Sequence, residues 1–309
     1  MQIADNLLPT VAKSTKSRWF AVVSRPFQSP KDKTAVIIQP KVDLPESASC
    51  FFMGSCFGEE MHRRILAEGY TSFANPFGVI FHPKALHNNC ALIAQAADRS
   101  AFDSTLHTTD FYEHQGIFHS LQHANRFQNT QPAQLLEEIF TIAQQAYINI
   151  QQAQIIGITL GTAWIYEHLP TQQFVGNCHK LPQQEFRKTL SWQAQIKNDV
   201  AGLLNALRQI NEHAHIVITV SPVRHLRDGV QENLASKSTL ISALGELLTE
   251  QQTKIHYFPA YEIIREELND WQYFKADKMH PTEEAIEVVF DRFYRAFFST
   301  KDSTFSAVL

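Results

Sequence analysis

Five short apolar runs, each separated from the next by a stretch with helical periodicity, constrain this chain more than any other feature. They are Phe51 to Gly54, Tyr70 to Ala74, Gln154 to Leu160, His215 to Val220 and Lys254 to Phe258. Helical patterns are predicted over 57–68, 83–97, 131–152, 186–212, 231–251 and 283–298. Strands alternating with helices predict an α/β fold with a mainly parallel sheet covered on both faces. Sites in such sheets gather at the carboxyl ends of the strands. Ser55, Asn75, Gly161 and Ser221 each stand directly after a predicted strand.

The first of these junctions carries the chemistry. In Phe51-Phe52-Met53-Gly54-Ser55-Cys56-Phe57-Gly58 an apolar run ends on a glycine, and an amphipathic helix follows at once. Phe57, Met61 and Ile65 fall on one helical face, with Glu59, Glu60, Arg63 and Arg64 turned outward. Ser55 thus stands at a strand end beside a helix N-terminus, where developing negative charge is favoured. It also has the composition of a plain N-cap. Near the other end, Asp277 and His280 lie three residues apart, and Pro281-Thr282-Glu283-Glu284 opens a helix. A carboxylate so spaced can support an imidazole that reaches elsewhere for a proton. Serine early with Asp and His late is one chain order of a Ser-His-Asp triad.

Gly54-Ser55-Cys56-Phe57-Gly58 resembles the signature of the GSCFA family, with Gly58 at the final alanine. Asn75-Pro76-Phe77-Gly78, Leu160-Gly161-Thr162-Ala163, Asn177-Cys178-His179-Lys180, Ser221-Pro222-Val223-Arg224 and Asp277-Lys278-Met279-His280-Pro281 resemble its later blocks, in order. The similarity runs from about residue 33 to 295. It implies a distant relation to the SGNH (GDSL-like) hydrolases, hence a three-layer α/β/α, flavodoxin-like fold and a Ser55–His280–Asp277 site. The reaction it implies is removal of an acyl group from a small-molecule or carbohydrate ester. Transfer to another acceptor, or a binding protein with weak catalysis, are the alternatives. The N–H groups of Ser55 and Gly78 are the expected oxyanion donors. That superfamily usually has Gly-x-Asn after the third strand, whereas this chain has Gly161-Thr162-Ala163. Asn177 is the expected substitute and His179 the next candidate. Arg224, in a basic cluster with His225 and Arg227, is the expected binder of a substrate carboxylate or phosphate.

Other residues compete. Cys56 adjoins Ser55, and a helix N-terminus lowers a thiol's pKa, but packing is the simpler role for it. Cys178-His179 are sequence neighbours that rarely face one site. Ser236-Lys237 suggests a Ser-Lys dyad, yet an exposed lysine on a helix is the ordinary explanation. His107, His114, His119 and His123 are spaced by 7, 5 and 4 residues, which matches no compact zinc signature. No metal or cofactor is expected, and loops with small hairpins are expected over 98–128. An irregular excursion is expected from Gly161 to Leu181.

With 309 residues, 44% of them hydrophobic, the chain can bury one full core. Its net charge of −4 gives no pull toward nucleic acid. No apolar run approaches the roughly 18 residues of a membrane span, and four cysteines without paired spacing predict no disulfide framework. The expected setting is the cytoplasm. The expected organisation is an extended leader over 1–32, one domain over 33–298 and a tail over 299–309.

Overall fold

The computed structural model describes residues 47–248 and 254–298, with Val36, Ile38, Val42, Leu44 and Pro45 before them. The leader and the tail lie outside the described residues. Five parallel strands form the central sheet: β1 (Ser49–Gly54), β2 (Thr71–Ala74), β6 (Ile155–Leu160), β10 (His215–Val220) and β11 (Ile255–Tyr257). Their spatial order is β11-β10-β6-β1-β2. The order reverses direction at β1, which places the end of β1 at the switch point where α/β sheets carry their sites.

Alternation along the strands sorts the core into two layers. Phe51, Met53, Ile156, Ile158, Ile216 and Ile218 face one side. They pack there with α2 (Pro83–Gln95), α4 (Pro132–Gln152), α5 (Gln193–Ile210) and α6 (Val230–Leu247). Phe52, Ile155 and Val217 face the other, against α1 (Cys56–Ala67) and α8 (Glu283–Phe297). Each such side chain taken out of water contributes about 1.5–3 kcal/mol, so neither layer is dispensable. Between them in sequence, α3 (Arg99–Asp103) and α7 (Ala260–Glu262) are short, and α7 runs into a π turn over Ile263–Leu268.

Two small antiparallel sheets lie outside the central one. β3 (Tyr112–His114), β4 (Ile117–His119) and β5 (Gln128–Asn129) form the first, as the hairpins expected over 98–128. The second joins β7 (Trp164–His168) to β8 (Gln173–Val175) and β9 (Phe186–Leu190). This corrects two expectations: the stretch after Gly161 is not irregular throughout, and the helix expected from 186 begins at Gln193. Residues 186–190 pair with β7 instead, with Trp164 opposite Leu190 and His168 opposite Phe186.

Gly54 fixes how β1 ends. It pairs with Thr159 of β6 and holds φ at +128°, and a Cβ there would stand 2.1 Å from the Thr159 carbonyl oxygen. Only glycine fits this bend, and the chain turns directly from it into Ser55.

Candidate active site at the sheet edge

Ser55 is both the residue after β1 and the N-cap of α1, its Oγ accepting a hydrogen bond from the Phe57 N–H at 3.3 Å. Its side chain is fully buried. Asn75, which follows β2 with φ at +43°, is wedged against the same bend. Its Oδ1 accepts from the Gly54 N–H at 2.9 Å, and its Nδ2 donates to Glu59 Oε1 at 3.2 Å. The sequence places Asn75 directly after a predicted strand but gives its side chain no role. The available signal was its position, a polar amide immediately after the strand that neighbours β1.

Asp277 and His280 meet as their spacing predicts. Asp277 Oδ1 accepts from the backbone N–H groups of Met279 and His280 at 2.8 and 3.0 Å, and Oδ2 lies 2.6 Å from His280 Nδ1. The His280 backbone N–H, its ring and the Met279 N–H together hold the Asp277 carboxyl down at about 2. An ionised carboxylate at Nδ1 selects the tautomer with the proton on that nitrogen. The Nε2 lone pair then remains for base chemistry. The pair is partly exposed, with side-chain exposures of 45% for His280 and 39% for Asp277. Arg224, beyond the end of β10, ties this turn to the sheet: its N–H donates to the Met279 carbonyl at 3.1 Å and its Nη1 to the Lys278 carbonyl at 3.3 Å.

The expected oxyanion donors are engaged elsewhere. The Ser55 N–H donates to the Thr159 carbonyl at 3.0 Å, because strand pairing with β6 continues one residue past Gly54. The Gly78 N–H donates to the Asn75 carbonyl at 2.8 Å, and Gly78 is required where it is because a Cβ would stand 2.4 Å from that of Ala124. Asn177 is a turn former, its Oδ1 accepting from the His179 N–H at 2.9 Å. The His179 ring is committed to the His-rich segment, with Nε2 3.0 Å from the His123 carbonyl and Nδ1 3.3 Å from His119 Nδ1.

The thiols are not activated. Burial, then Glu59, raises the Cys56 thiol above its ordinary pKa, outweighing the helix N–H groups and Lys237. Burial alone pushes Cys178 up to about 11. All four cysteines are free, and among the described residues no cluster of three or more His, Cys, Asp or Glu side chains is arranged to hold a metal ion.

Lys237 reverses the expectation of an exposed helical lysine. Asn233, Ser236, Lys237, Leu240 and Leu244 form the buried face of α6, so the helical period points Lys237 inward. Its Nζ donates to the carbonyls of Gly161 at 2.6 Å and Ser221 at 2.8 Å, the residues that follow β6 and β10. Ser236 Oγ accepts from the Ala163 N–H at 2.7 Å and lies 2.9 Å from Thr162 Oγ1. These two residues anchor the strand ends rather than forming a dyad. Burial pulls the Lys237 ammonium down to about 7. Above pH 7 the unfolded chain therefore holds a proton that the folded one releases, and stability rises with pH. Between pH 7 and 9 this group alone contributes a gain of about 2 kcal/mol, opposed from about pH 8 because burial keeps the Cys50, Cys56, Cys90 and Cys178 thiols protonated in the fold. Urea denaturation at pH 7, 8 and 9 is expected to show it as a difference: the stability of the native chain relative to Lys237→Met should increase by about 2 kcal/mol across the range.

No helix of the described residues is long and apolar enough to cross a membrane. No match emerges among curated proteins. Among solved structures, the chain is similar to the lipase Lip_vut3 from a goat rumen metagenome. The identity is 10%, with 81% of this chain and 97% of that chain covered and a TM-score of 0.41. The GSCFA family model matches residues 49–293, a span that takes in β1, the central sheet, the Ser55 bend, the Asp277–His280 turn and most of α8, and the chain belongs to the GSCFA family.

Proposed function

We propose that this chain is an SGNH-like serine hydrolase, an esterase that removes an acyl group from a small-molecule or carbohydrate ester. The observation that carries the reading is the 2.6 Å contact between Asp277 Oδ2 and His280 Nδ1, in a chain whose switch-point strand leads directly into Ser55. His280 Nε2 takes the Ser55 hydroxyl proton as Oγ attacks the ester carbonyl carbon. The tetrahedral oxyanion collapses, the alcohol leaves with the proton from His280, and water repeats the sequence to free the acid. With the Ser55 and Gly78 N–H groups engaged, the Asn75 side-chain amide is the donor that adjoins the nucleophile. Glu59 takes one of its two N–H hydrogens, and the second would serve the oxyanion.

Two observations favour a second reading, a binding protein with weak catalysis: the full burial of Ser55 and the engaged backbone donors. A fluorophosphonate probe separates the two. The esterase reading expects one adduct, mapped to Ser55 and abolished in Ser55→Ala. Cys56→Ala is expected to retain labelling and ester turnover within about tenfold, roughly 1.4 kcal/mol of barrier. A native chain that takes no probe supports the binding protein, and an adduct on Cys56 reassigns the nucleophile.

A further inference from the structure

Beside His280 lies a group of cations that, among the described residues, form no ion pair with a carboxylate. Arg224 is 7% exposed, and its guanidinium carbon sits 5.0 Å from the centre of the Trp271 ring. Lys278 Nζ lies 5.8 Å from the centre of the same ring. Arg265, over Phe274 at 5.5 Å, is near enough to Arg224 to help lower its pKa, after burial. Among the described residues no carboxylate forms an ion pair with any of the three. Of the nearby carboxylates, Asp270 accepts from the Gln272 N–H, Asp277 serves the His280 turn and Glu262 accepts from the Tyr257 hydroxyl, while Glu266 lies close to Tyr261.

Like charges gathered at a half-buried position destabilise one another, and an aromatic face attracts cations without neutralising them. Trp271, meanwhile, is 57% exposed and presents its ring to solvent. The geometry is that of a site completed by an incoming anion. We propose that Arg224, Trp271 and Lys278, with Arg265, form a subsite for an anionic group of the substrate, a carboxylate or a phosphate. The subsite adjoins the catalytic turn directly, since Arg224 holds the carbonyls of Lys278 and Met279. The inference takes the hydrolase reading as its base and adds the substrate class: an ester that carries a negative charge close to the bond cleaved.

Binding and turnover are measured separately, so the two readings fail separately. Tryptophan fluorescence of the full chain is titrated with inorganic phosphate and with succinate, using Trp271→Phe as the control. A saturable change in the millimolar range, absent from Trp271→Phe, is expected for at least one of them. Turnover is compared for 4-methylumbelliferyl hemisuccinate against the butyrate, and for an acetyl ester of glycerol 3-phosphate against that of glycerol. The first pair places a carboxylate on the acyl side and the second a phosphate on the alcohol side. A preference of about tenfold or more in kcat/KM, carried mainly by KM, is expected for one charged ester. It is expected to shrink below about threefold in Lys278→Met and in Arg265→Gln, single charges removed without cutting the Arg224 bonds to the turn. Anion binding without turnover of any ester upholds the subsite and sinks the hydrolase reading. Turnover with no charged preference, a preference untouched by both variants, or no Trp271-dependent response to either anion overturns the subsite.

Discussion

Acidification to about pH 4.5 is expected to unfold the protein, because the fold holds three buried imidazoles neutral. Burial lowers His82 and His123 to about 3 and His179 to about 4. The surroundings of each ring disfavour a second proton. His82 Nδ1 accepts the Lys84 N–H at 3.0 Å and caps α2. His123 stacks on Phe77 at 4.2 Å, with Nδ1 against Ser120 Oγ and Nε2 buried without a partner. His179 Nε2 points at the His123 carbonyl, so a second proton would sit on Nδ1 and require His119 Nδ1 to give up any proton of its own.

The sign follows directly. All three folded pKa values lie below the ordinary 6.5, so the unfolded chain binds protons first, and stability falls as pH drops from 6.5 toward 4 and 3. By pH 4.5 each ring has removed roughly 2–3 kcal/mol, or on the order of 8 kcal/mol together. That equals the whole stability of many domains. Far-ultraviolet circular dichroism from pH 8 to 3 is expected to show a cooperative loss centred between about pH 4 and 5. His123→Phe keeps a ring in the stack and removes one titration. Between pH 8 and 5 it should lose about 2 kcal/mol less stability than the native chain. A fold intact at pH 3.5, or a His123→Phe chain with the native acid slope, would show that burial does not hold these rings neutral.

What the sequence revealed and what it hid divide along the range of the interactions. The central sheet was legible because β1, β6 and β10 are predominantly apolar and the helices between them keep one apolar stripe. β9 was not. Phe186-Arg187-Lys188-Thr189-Leu190 runs directly into the helical pattern of α5, and only its pairing with β7 makes it a strand. Lys237 was misread because its charge was weighed more heavily than its register with Leu240 and Leu244.

The same division runs through the candidate site. The Asp277–His280 contact is local, three residues along one turn, so composition and spacing sufficed. The fate of the Ser55 N–H depends on the pairing of β1 with β6, which brings together residues more than a hundred positions apart. Spacing along the chain gives no hint that the Thr159 carbonyl accepts from that N–H. Asn75 went unassigned for the same reason, since its contact with Gly54 crosses from one strand end to the next.

On the proposed mechanism, Asp277→Asn is expected to lower kcat on a turned-over ester by about 10³-fold, and His280→Gln by at least as much. The asparagine acts through the tautomer. Its Oδ1 can still accept the Met279 and His280 N–H groups, so the turn persists. Its Nδ2, placed where Oδ2 now meets the ring, donates to Nδ1 and drives the imidazole proton onto Nε2. No lone pair then faces the Ser55 hydroxyl. Asp277→Ala removes the orienting oxygen without imposing the wrong tautomer, so it should keep more activity than Asp277→Asn. A role confined to stabilising the turn predicts the reverse order, because alanine also loses both backbone bonds. The partial exposure of the pair limits its worth to the fold. Both aspartate variants should therefore unfold in urea near the native midpoint while their kcat values collapse. Full activity in Asp277→Asn, or a fall in activity that merely tracks lost stability, would remove His280 from the role of base.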